Sequence, residues 1–276
     1  MDFISYWQSV LLGIVEGLTE FLPVSSTGHL ILASEAMGVP ANELTEAFLV
    51  VIQAGAILAV CWYYCERIWH VLRGLFRPGK EQRLAINTIV AFMPAVVLGL
   101  LLASFLKAHL FNSVTVSIAL IVGGVIILWA ERYSEAHPSH VRVATMDDLT
   151  LKDAFYVGLC QCLAMIPGTS RSGATIIGGM LLGLSRKAAT EFSFFLAIPT
   201  IFGASFYDLM KHRTLFLEAN WSVMGVGLLI SFFSALAVVH WLIGYVGKHS
   251  FKPFGWYRIV FGLIILGLFA CGVVAF

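Results

Sequence analysis

Charged residues are scarce in this sequence. Asp, Glu, Lys and Arg together make up 12% of its 276 residues, against about 25% in a typical soluble domain. Hydrophobic residues make up 59%. A chain with so little charge cannot cover a water-exposed surface with polar groups. The composition therefore excludes an ordinary soluble protein and predicts an integral membrane protein.

Concentrated positive charge is also missing. The formal net charge is +1 and Lys and Arg form no basic tract, so we expect no nucleic-acid partner. The N-terminus lacks a basic region and an A-x-A cleavage site, so we expect no removable signal peptide. The five cysteines lie in or beside apolar segments at spacings unlike those of zinc sites, which predicts buried structural thiols.

Six apolar segments are long enough to span a bilayer, at about 20 residues each. They are 45–65, 84–106, 114–131, 188–210, 221–246 and 256–275. Two further segments, 4–37 and 151–184, are interrupted by Pro23 and Pro167 together with polar loops. Interrupted helices at membrane depth occur where the backbone lines a cavity. The predicted fold class is therefore all-α integral membrane, with six transmembrane helices plus two re-entrant helix pairs.

The basic residues indicate an orientation. Of the 17 Lys and Arg residues, thirteen lie in the segment ends and loops at 66–83, 131–153, 185–187 and 247–258. Lys107, Lys211 and Arg213 lie on the other side, and Arg171 lies inside the layer. Because Lys and Arg are enriched in cytoplasmic loops, both termini are predicted outside. The first re-entrant pair then opens outward and the second inward.

The two halves of the chain resemble each other. The matches are Thr45 to Phe48 with Thr190 to Ser193 and Gly13 to Glu16 with Gly158 to Gln161, both at an offset of 145, and Pro23 to Ser26 with Pro167 to Ser170 at 144. Each half contributes a re-entrant pair and three spans, an odd number, so the second copy is inverted. We predict a first repeat at 1–133, a connecting loop at 134–150 and a second repeat at 151–276, together forming one membrane domain.

Two carboxylates lie in the first interrupted segment. Glu16 and Glu20 are four residues apart, which places both on one face of a helix with Cβ atoms about 5–6 Å apart. Like charges at this spacing repel each other, and either a divalent cation or a shared proton would relieve the repulsion. Glu16 and Glu20 are therefore candidate metal ligands.

Hydroxyl groups follow the carboxylates. Pro23 is predicted to end the helix, and Ser25, Ser26 and Thr27 form a small-residue loop before a helix predicted to open at His29. Such a loop and the free N–H groups of a helix N-terminus suit a phosphate. Because ionisable groups at the bilayer centre cost about 2.5–3.5 kcal/mol, they persist mainly beside cavities. This segment is therefore predicted to form a site.

The second interrupted segment adds a cation. It contains Gly168, Thr169, Ser170, Arg171 and Ser172. The guanidinium of Arg171 can bind phosphate oxygens through two donors, and Ser172 is predicted to cap a helix over 173–182. The alternative is that Arg171 only neutralises a glutamate in a structural ion pair, although an apolar pair would serve packing at least as well. The two loops are predicted to meet near the midplane.

The residues from Glu16 to His29 and from Pro167 to Gly173 closely resemble the undecaprenyl-diphosphate phosphatase family of the bacitracin-resistance type. The resemblance implies an enzyme of the bacterial inner membrane that removes the terminal phosphate from a polyprenyl diphosphate. This reaction recycles the lipid carrier for cell-wall synthesis and gives bacitracin resistance. The family's E/Q-x3-E motif falls on Glu16 and Glu20. Its activity implies a divalent cation, Mg²⁺ or Ca²⁺.

The resemblance also assigns roles. The family's motif serine and histidine fall on Ser26 and His29, and its P-G-x-S-R-S motif falls on Pro167 to Ser172. We expect Ser26 to be the nucleophile, with a metal-activated water, Ser25, Thr27 or Ser170 as alternatives. His29 is the nearest candidate base, and Glu20 could share that role. The expected phosphate-binding residues are Ser25, Thr27, Gly168, Thr169, Ser170, Arg171 and Ser172.

A second function class fits the same architecture. Inverted repeats with interrupted helices at the midplane are also typical of transporters, so a lipid flippase or secondary transporter is the alternative to a phosphatase. It explains less well why Ser26 and His29 accompany a pair of carboxylates. The expected partners are the lipid substrate and the membrane, and we also allow for a homodimer. We expect the site to open to the outer, periplasmic face.

Overall fold

The computed structural model describes residues 4–211 and 220–272. Its helices are α1 Tyr6–Thr19, α2 Ser26–Ala36, α3 Glu43–Tyr63, α4 Cys65–Gly74, α5 Lys80–Leu110, α6 Ser113–Ala136, α7 Leu151–Cys162, α8 Arg171–Leu181, α9 Arg186–Lys211, α10 Trp221–Val246 and α11 Lys252–Ala270. Within these residues, six helices are long and apolar enough to cross a membrane, namely α3, α5, α6, α9, α10 and α11. The predicted all-α membrane class with six spans is confirmed.

Asparagine side chains begin three of the spanning helices. The side chain of Asn42 accepts a hydrogen bond from the Thr45 N–H at the start of α3, and Asn112 accepts one from the Thr115 N–H at the start of α6. Asn220 caps α10 in the same way. These bonds satisfy N–H groups that have no partner inside the helix. Hydropathy places the spans along the chain, and the caps fix where three of them begin.

Helix α10 packs closely against α3 because glycines lie between them. A Cβ atom on Gly55 would lie 2.5 Å from the carbonyl oxygen of Leu228, and one on Gly227 would lie 2.6 Å from the ring of Phe48. Real side-chain atoms do not approach so closely, so only glycine allows this backbone separation. Small residues are the usual means of close packing between membrane helices. The interface between α3 and α10 is therefore tight.

Each interrupted segment turns at a strained serine. Ser25 precedes α2 with φ 72°, and Ser170 precedes α8 with φ 73°. Positive φ is uncommon for residues other than glycine, and such strain concentrates at functional sites. The two serines are 145 residues apart, the offset of the other sequence matches. The predicted match of Pro23 to Ser26 with Pro167 to Ser170, at 144, was therefore one residue out of register.

The turns at Ser25 and Ser170 align the two interrupted segments residue by residue. Ser25 corresponds to Ser170, and Ser26 corresponds to Arg171, so the candidate nucleophile and the guanidinium occupy the same place in the two segments. The equivalent backbone supports the predicted repeat. The division at 134–150 and the inverted orientation of the second half stay predictions.

Both short helices begin earlier than predicted. Helix α2 begins at Ser26 rather than at His29, and α8 begins at Arg171 rather than at residue 173. The assignment of Ser172 as N-cap was wrong, because the Ser170 side chain accepts the hydrogen bond from the Gly173 N–H. The left-handed turn at each strained serine leads the chain into the helix at the next residue. Hydropathy carries no signal for such a turn.

The predicted connecting loop is hydrogen-bonded to residues of the second half of the chain. The Arg142 and Val143 N–H groups donate to the carbonyl oxygen of Gly183 at 2.9 and 3.1 Å. The Arg142 guanidinium donates to the carboxylate of Asp153, which raises the pKa of Arg142. Together these bonds hold the loop against the start of α7 and the end of α8.

Candidate active site

A cavity of about 750 Å³ lies where the two interrupted segments meet. Its polar wall comes from both loops and consists of Glu20, Ser25, Ser26, Thr27, Pro167, Gly168, Ser170 and Arg171. Its other wall comes mainly from α5 and α9 and is largely apolar, with Phe92, Ala95, Val96, Gly99, Leu100, Ile201, Gly203, Ala204 and Tyr207. Gln53, Gln161 and Thr200 also line the cavity. The two loops predicted to form the site therefore share one cavity, and this cavity has an acidic, a basic and an apolar part.

Glu20 is the centre of the polar wall. It lies at the C-cap of α1, where the chain is still helical. The Ser26 hydroxyl donates to its Oε2 atom at 2.6 Å, and Nη2 of Arg171 donates to its Oε1 atom at 3.0 Å. A carboxylate in this position can accept the serine proton and so activate the serine oxygen for attack. Glu20 is thus the group placed to act as a base for Ser26.

Arg171 is held on a second side as well. Its Nη1 atom donates to the carbonyl oxygen of Ser193 on α9 at 3.0 Å, and its guanidinium lies 5.7 Å from the centre of the Phe21 ring. The ion pair with Glu20 that was considered as an alternative is therefore present. Because Arg171 also lines the cavity, the pair positions the guanidinium beside the space that a substrate would enter.

His29 forms its hydrogen bonds with Ser25 and Tyr257. Its Nδ1 atom lies 2.7 Å from the carbonyl oxygen of Ser25, and its Nε2 atom lies 2.6 Å from the Tyr257 hydroxyl. The ring stacks on Phe261 with ring centres 4.2 Å apart. A carbonyl oxygen only accepts, so Nδ1 carries the hydrogen and in a neutral ring Nε2 accepts from Tyr257. In this arrangement His29 supports the strained turn at Ser25, while Glu20 contacts Ser26.

Glu16 lies one turn before Glu20 and is fully buried. Within the part of the chain that the structure describes, neither of its carboxylate oxygens has a hydrogen-bond partner. A buried carboxylate without partners is costly, and it indicates a missing ion, proton or water. Among residues 4–211 and 220–272, no group of three or more His, Cys, Asp or Glu side chains is placed to hold a metal. A cation here would depend on Glu16, Glu20 and oxygens from a ligand.

The predicted phosphate-binding residues divide into two groups. Ser25, Thr27, Gly168, Ser170 and Arg171 line the cavity. The other two have partners in the fold. The Thr169 N–H donates to the carbonyl oxygen of Ile166 at 3.1 Å, and the Ser172 hydroxyl donates to that of Leu22 at 2.8 Å. The Thr169 bond therefore closes a turn within the second loop, and the Ser172 bond joins the second interrupted segment to the first.

Arg258 was predicted from the charge pattern to lie at one membrane surface and was not expected at the site. The structure corrects this, because Arg258 is 1% exposed. Its guanidinium donates to backbone carbonyl oxygens of both loops, at 3.2 Å to Pro23, 3.0 Å to Gly168 and 2.8 Å to Thr169. It also donates to two carbonyls of α6. The available signal was a charge inside the apolar segment predicted at 256–275.

Comparison with known proteins identifies the family. The family model described as "Bacitracin resistance protein BacA" matches residues 9–264. The chain is 53% identical over 274 residues to "Undecaprenyl-diphosphatase" of Albidiferax ferrireducens, covering 99% of each chain. It is 54% identical over 268 residues to "Undecaprenyl-diphosphatase 1" of Chromobacterium violaceum, covering 97% of this chain and 98% of the relative. The resemblance drawn from the two motifs is confirmed, and the chain belongs to the family of the bacitracin resistance protein BacA.

Proposed function

We propose that this protein hydrolyses undecaprenyl diphosphate to undecaprenyl phosphate and phosphate. The observation that carries the proposal is that Ser26 and Arg171 both donate hydrogen bonds to Glu20 at one end of a cavity whose other wall is largely apolar. The relatives are named for the same reaction. The product is the lipid carrier of cell-wall synthesis, and its recycling gives bacitracin resistance.

The chain's own residues supply the chemistry as follows. The Ser26 oxygen attacks the terminal phosphorus while Glu20 takes the hydroxyl proton. The bond from that phosphorus to the bridging oxygen breaks, and undecaprenyl phosphate leaves with the bridging oxygen and with the proton that Glu20 took from Ser26. Water then attacks the phosphoserine, giving up one proton to the Ser26 oxygen as phosphate departs. Arg171 and the N–H groups at the start of α2 offset the negative charge on the phosphoryl oxygens.

We propose Glu16 and Glu20 as the protein ligands of a divalent cation, Mg²⁺ or Ca²⁺. Such cations prefer oxygen ligands, and Mg²⁺ is often held by one or two carboxylates together with substrate phosphates. The two oxygens of Glu16 without partners fit this donor set. When bound, the cation would offset charge on the diphosphate. Arg171, which donates to Oε1 of Glu20 and lines the cavity, would add a second positive charge beside the phosphoryl group.

We further propose that the protein lies in the bacterial inner membrane with both termini outside and the cavity open to the periplasmic side. The supporting observation is the distribution of Lys and Arg. Thirteen such residues were assigned to the inner side, and removing the buried Arg258 leaves twelve against three. The bias therefore persists after the correction.

Purified protein in detergent should release phosphate from undecaprenyl diphosphate, and Ser26→Ala should reduce that rate at least about 10³-fold because the nucleophile is lost. Ser222→Ala, at the exposed start of α10, is the matched control and should retain full activity. Phosphate release by Ser26→Ala at a near-normal rate would exclude Ser26 as nucleophile. A wild-type protein that releases no phosphate would favour a transporter instead.

A further inference from the structure

A short helix connects two of the spanning helices. The span formed by α3 ends at Tyr63 and the span in α5 begins at Lys80, and α4, Cys65–Gly74, lies between them. A helix of 10 residues is about 15 Å long, which is half the thickness of the hydrocarbon core of a bilayer. Because α4 is joined to the ends of two spans and is too short to cross, it lies at a membrane surface.

One side of α4 packs against the protein. Ile68 and Val71 are partly buried and contact the main apolar core. On the same side, Arg67 forms ion pairs with Asp147 and with Glu81, the latter at 3.7 Å. These contacts fix the rotation of α4 about its own axis, so that the side chains on its other sides point away from the protein.

A second side of α4 is apolar and exposed. Cys65, Trp69 and Leu72 follow the spacing i, i+4, i+7 of one helix face. Trp69 is 53% exposed and Leu72 is 57% exposed, and Phe76, two residues past the end of α4, is 89% exposed. Large apolar side chains grouped in this way are unfavourable in water, and tryptophan is enriched where hydrocarbon meets the headgroups. This side of α4 therefore faces the hydrocarbon near the bilayer surface.

The third side of α4 is polar and mainly basic. Glu66, His70 and Arg73 repeat the same spacing and are exposed, as is Arg77 just after the helix. The Arg73 guanidinium lies over the Trp69 ring, 4.6 Å from its centre, and this contact holds it at the boundary between the apolar and the basic side. Two guanidinium groups outweigh the single carboxylate. A basic side next to an apolar side is typical of helices that lie in the plane of the membrane interface.

We propose that α4 lies in the plane of the bilayer surface and binds an anionic phospholipid. Arg73 and Arg77 would contact the headgroup phosphate, and the acyl chains would lie against Trp69, Leu72 and Phe76. The excess of positive charge selects a headgroup with a net negative charge. None of the described residues that line the catalytic cavity belongs to α4. The lipid site is therefore separate from the proposed hydrolysis and does not depend on it.

The experiment follows the melting temperature of the protein in dodecyl maltoside while phosphatidylglycerol, which is anionic, or phosphatidylcholine, which has no net charge, is added. Phosphatidylglycerol should raise the wild-type melting temperature at a mole fraction at least about threefold lower than phosphatidylcholine. Each arginine beside an anionic headgroup contributes about fivefold in affinity. The double variant Arg73→Gln with Arg77→Gln should therefore need at least about 10-fold more phosphatidylglycerol for the half-maximal effect.

Two controls accompany the double variant. Arg73→Lys with Arg77→Lys keeps both charges and should stay within about threefold of wild type. Lys248→Gln removes an exposed cation that is predicted to lie at the same membrane surface, and it should respond to phosphatidylglycerol as wild type does. If the double glutamine variant melts several degrees lower without added lipid, Arg77→Gln alone carries the test, because Arg77 lies outside the helix.

Three outcomes would overturn the proposal. In the first, both lipids act on wild type at the same mole fraction, so charge selects nothing. In the second, the double glutamine variant responds to phosphatidylglycerol as wild type does. In the third, wild type is a dimer in detergent that Leu72→Ser converts to a monomer, which would assign the apolar side of α4 to a second copy of the chain. Failure to release phosphate from undecaprenyl diphosphate would refute the proposed function and leave these measurements unchanged.

Discussion

At the residue scale, Ser26 and His29 lie three residues apart in the motif, but their side chains contact different partners. Ser26 donates to Glu20, whereas His29 contacts Ser25 and Tyr257. A general base must lie within hydrogen-bond reach of the proton that it removes. By this criterion Glu20 is the candidate base for Ser26, while His29 bonds the carbonyl oxygen of Ser25 in the turn before it.

Glu20→Gln should therefore lower kcat about 10²–10⁴-fold, the usual contribution of a general base, with little change in melting temperature. Tyr257→Phe removes only the hydroxyl that contacts His29, and kcat should stay within a few-fold of wild type. Initial rates and thermal unfolding of both variants in detergent check this. Near-normal turnover by Glu20→Gln would return the role of base to His29.

Glu16→Gln tests the proposed metal ligand. The amide keeps the shape of the side chain but removes the charge that would bind the cation, so the Mg²⁺ concentration for half-maximal activity should rise about 10-fold or more. Wild-type protein treated with a chelator should lose activity and regain it when Mg²⁺ or Ca²⁺ is added. An unchanged Mg²⁺ requirement in Glu16→Gln would exclude Glu16 as a ligand.

At the element scale, apolar length predicted the six spans, because roughly 20 residues are needed to cross a bilayer. The predicted span 221–246 agrees with α10, Trp221–Val246. The starts of α2 and α8 could not be predicted in the same way. They depend on left-handed turns at Ser25 and Ser170, which serine rarely adopts and which only the surrounding structure enforces.

Helix packing offers a matched pair of substitutions on α10. Gly227→Ala would place a Cβ atom 2.6 Å from the Phe48 ring, whereas one on Gly225 meets nothing within 4 Å. Overpacking costs typically about 1–3 kcal/mol, so Gly227→Ala should lower the melting temperature by several degrees. Gly225→Ala should leave it unchanged or raise it slightly, because alanine favours the helix. Equal melting temperatures for the two variants would contradict the close contact of α3 and α10.

At the scale of the whole molecule, Arg258 connects distant parts of the chain. Its donors reach Pro23 in the first loop, Gly168 and Thr169 in the second, and two carbonyls of α6. The sequence predicted that the two loops meet. It gave no indication that a guanidinium from α11 holds them, since contacts between residues 235 positions apart leave no local pattern.

Arg258→Met should lower both the melting temperature and kcat, because each buried carbonyl left without a donor costs about 1–3 kcal/mol. Arg258→Lys keeps the charge and three donors, so it should retain part of both properties. Thermal unfolding and phosphate release measured on the same preparations check this. Wild-type behaviour of Arg258→Met would show that the loops hold their positions without it.

The position of Arg258 along the chain also has a consequence during synthesis. Every residue of the polar wall is made before the ribosome reaches α11, so the carbonyl oxygens of both turns have no guanidinium donor until Arg258 has been translated. A nascent chain that stops short of α11 would already contain Ser26, Glu20 and Arg171 without the group that fixes their loops. The enzyme would therefore mature only when α11 has been inserted.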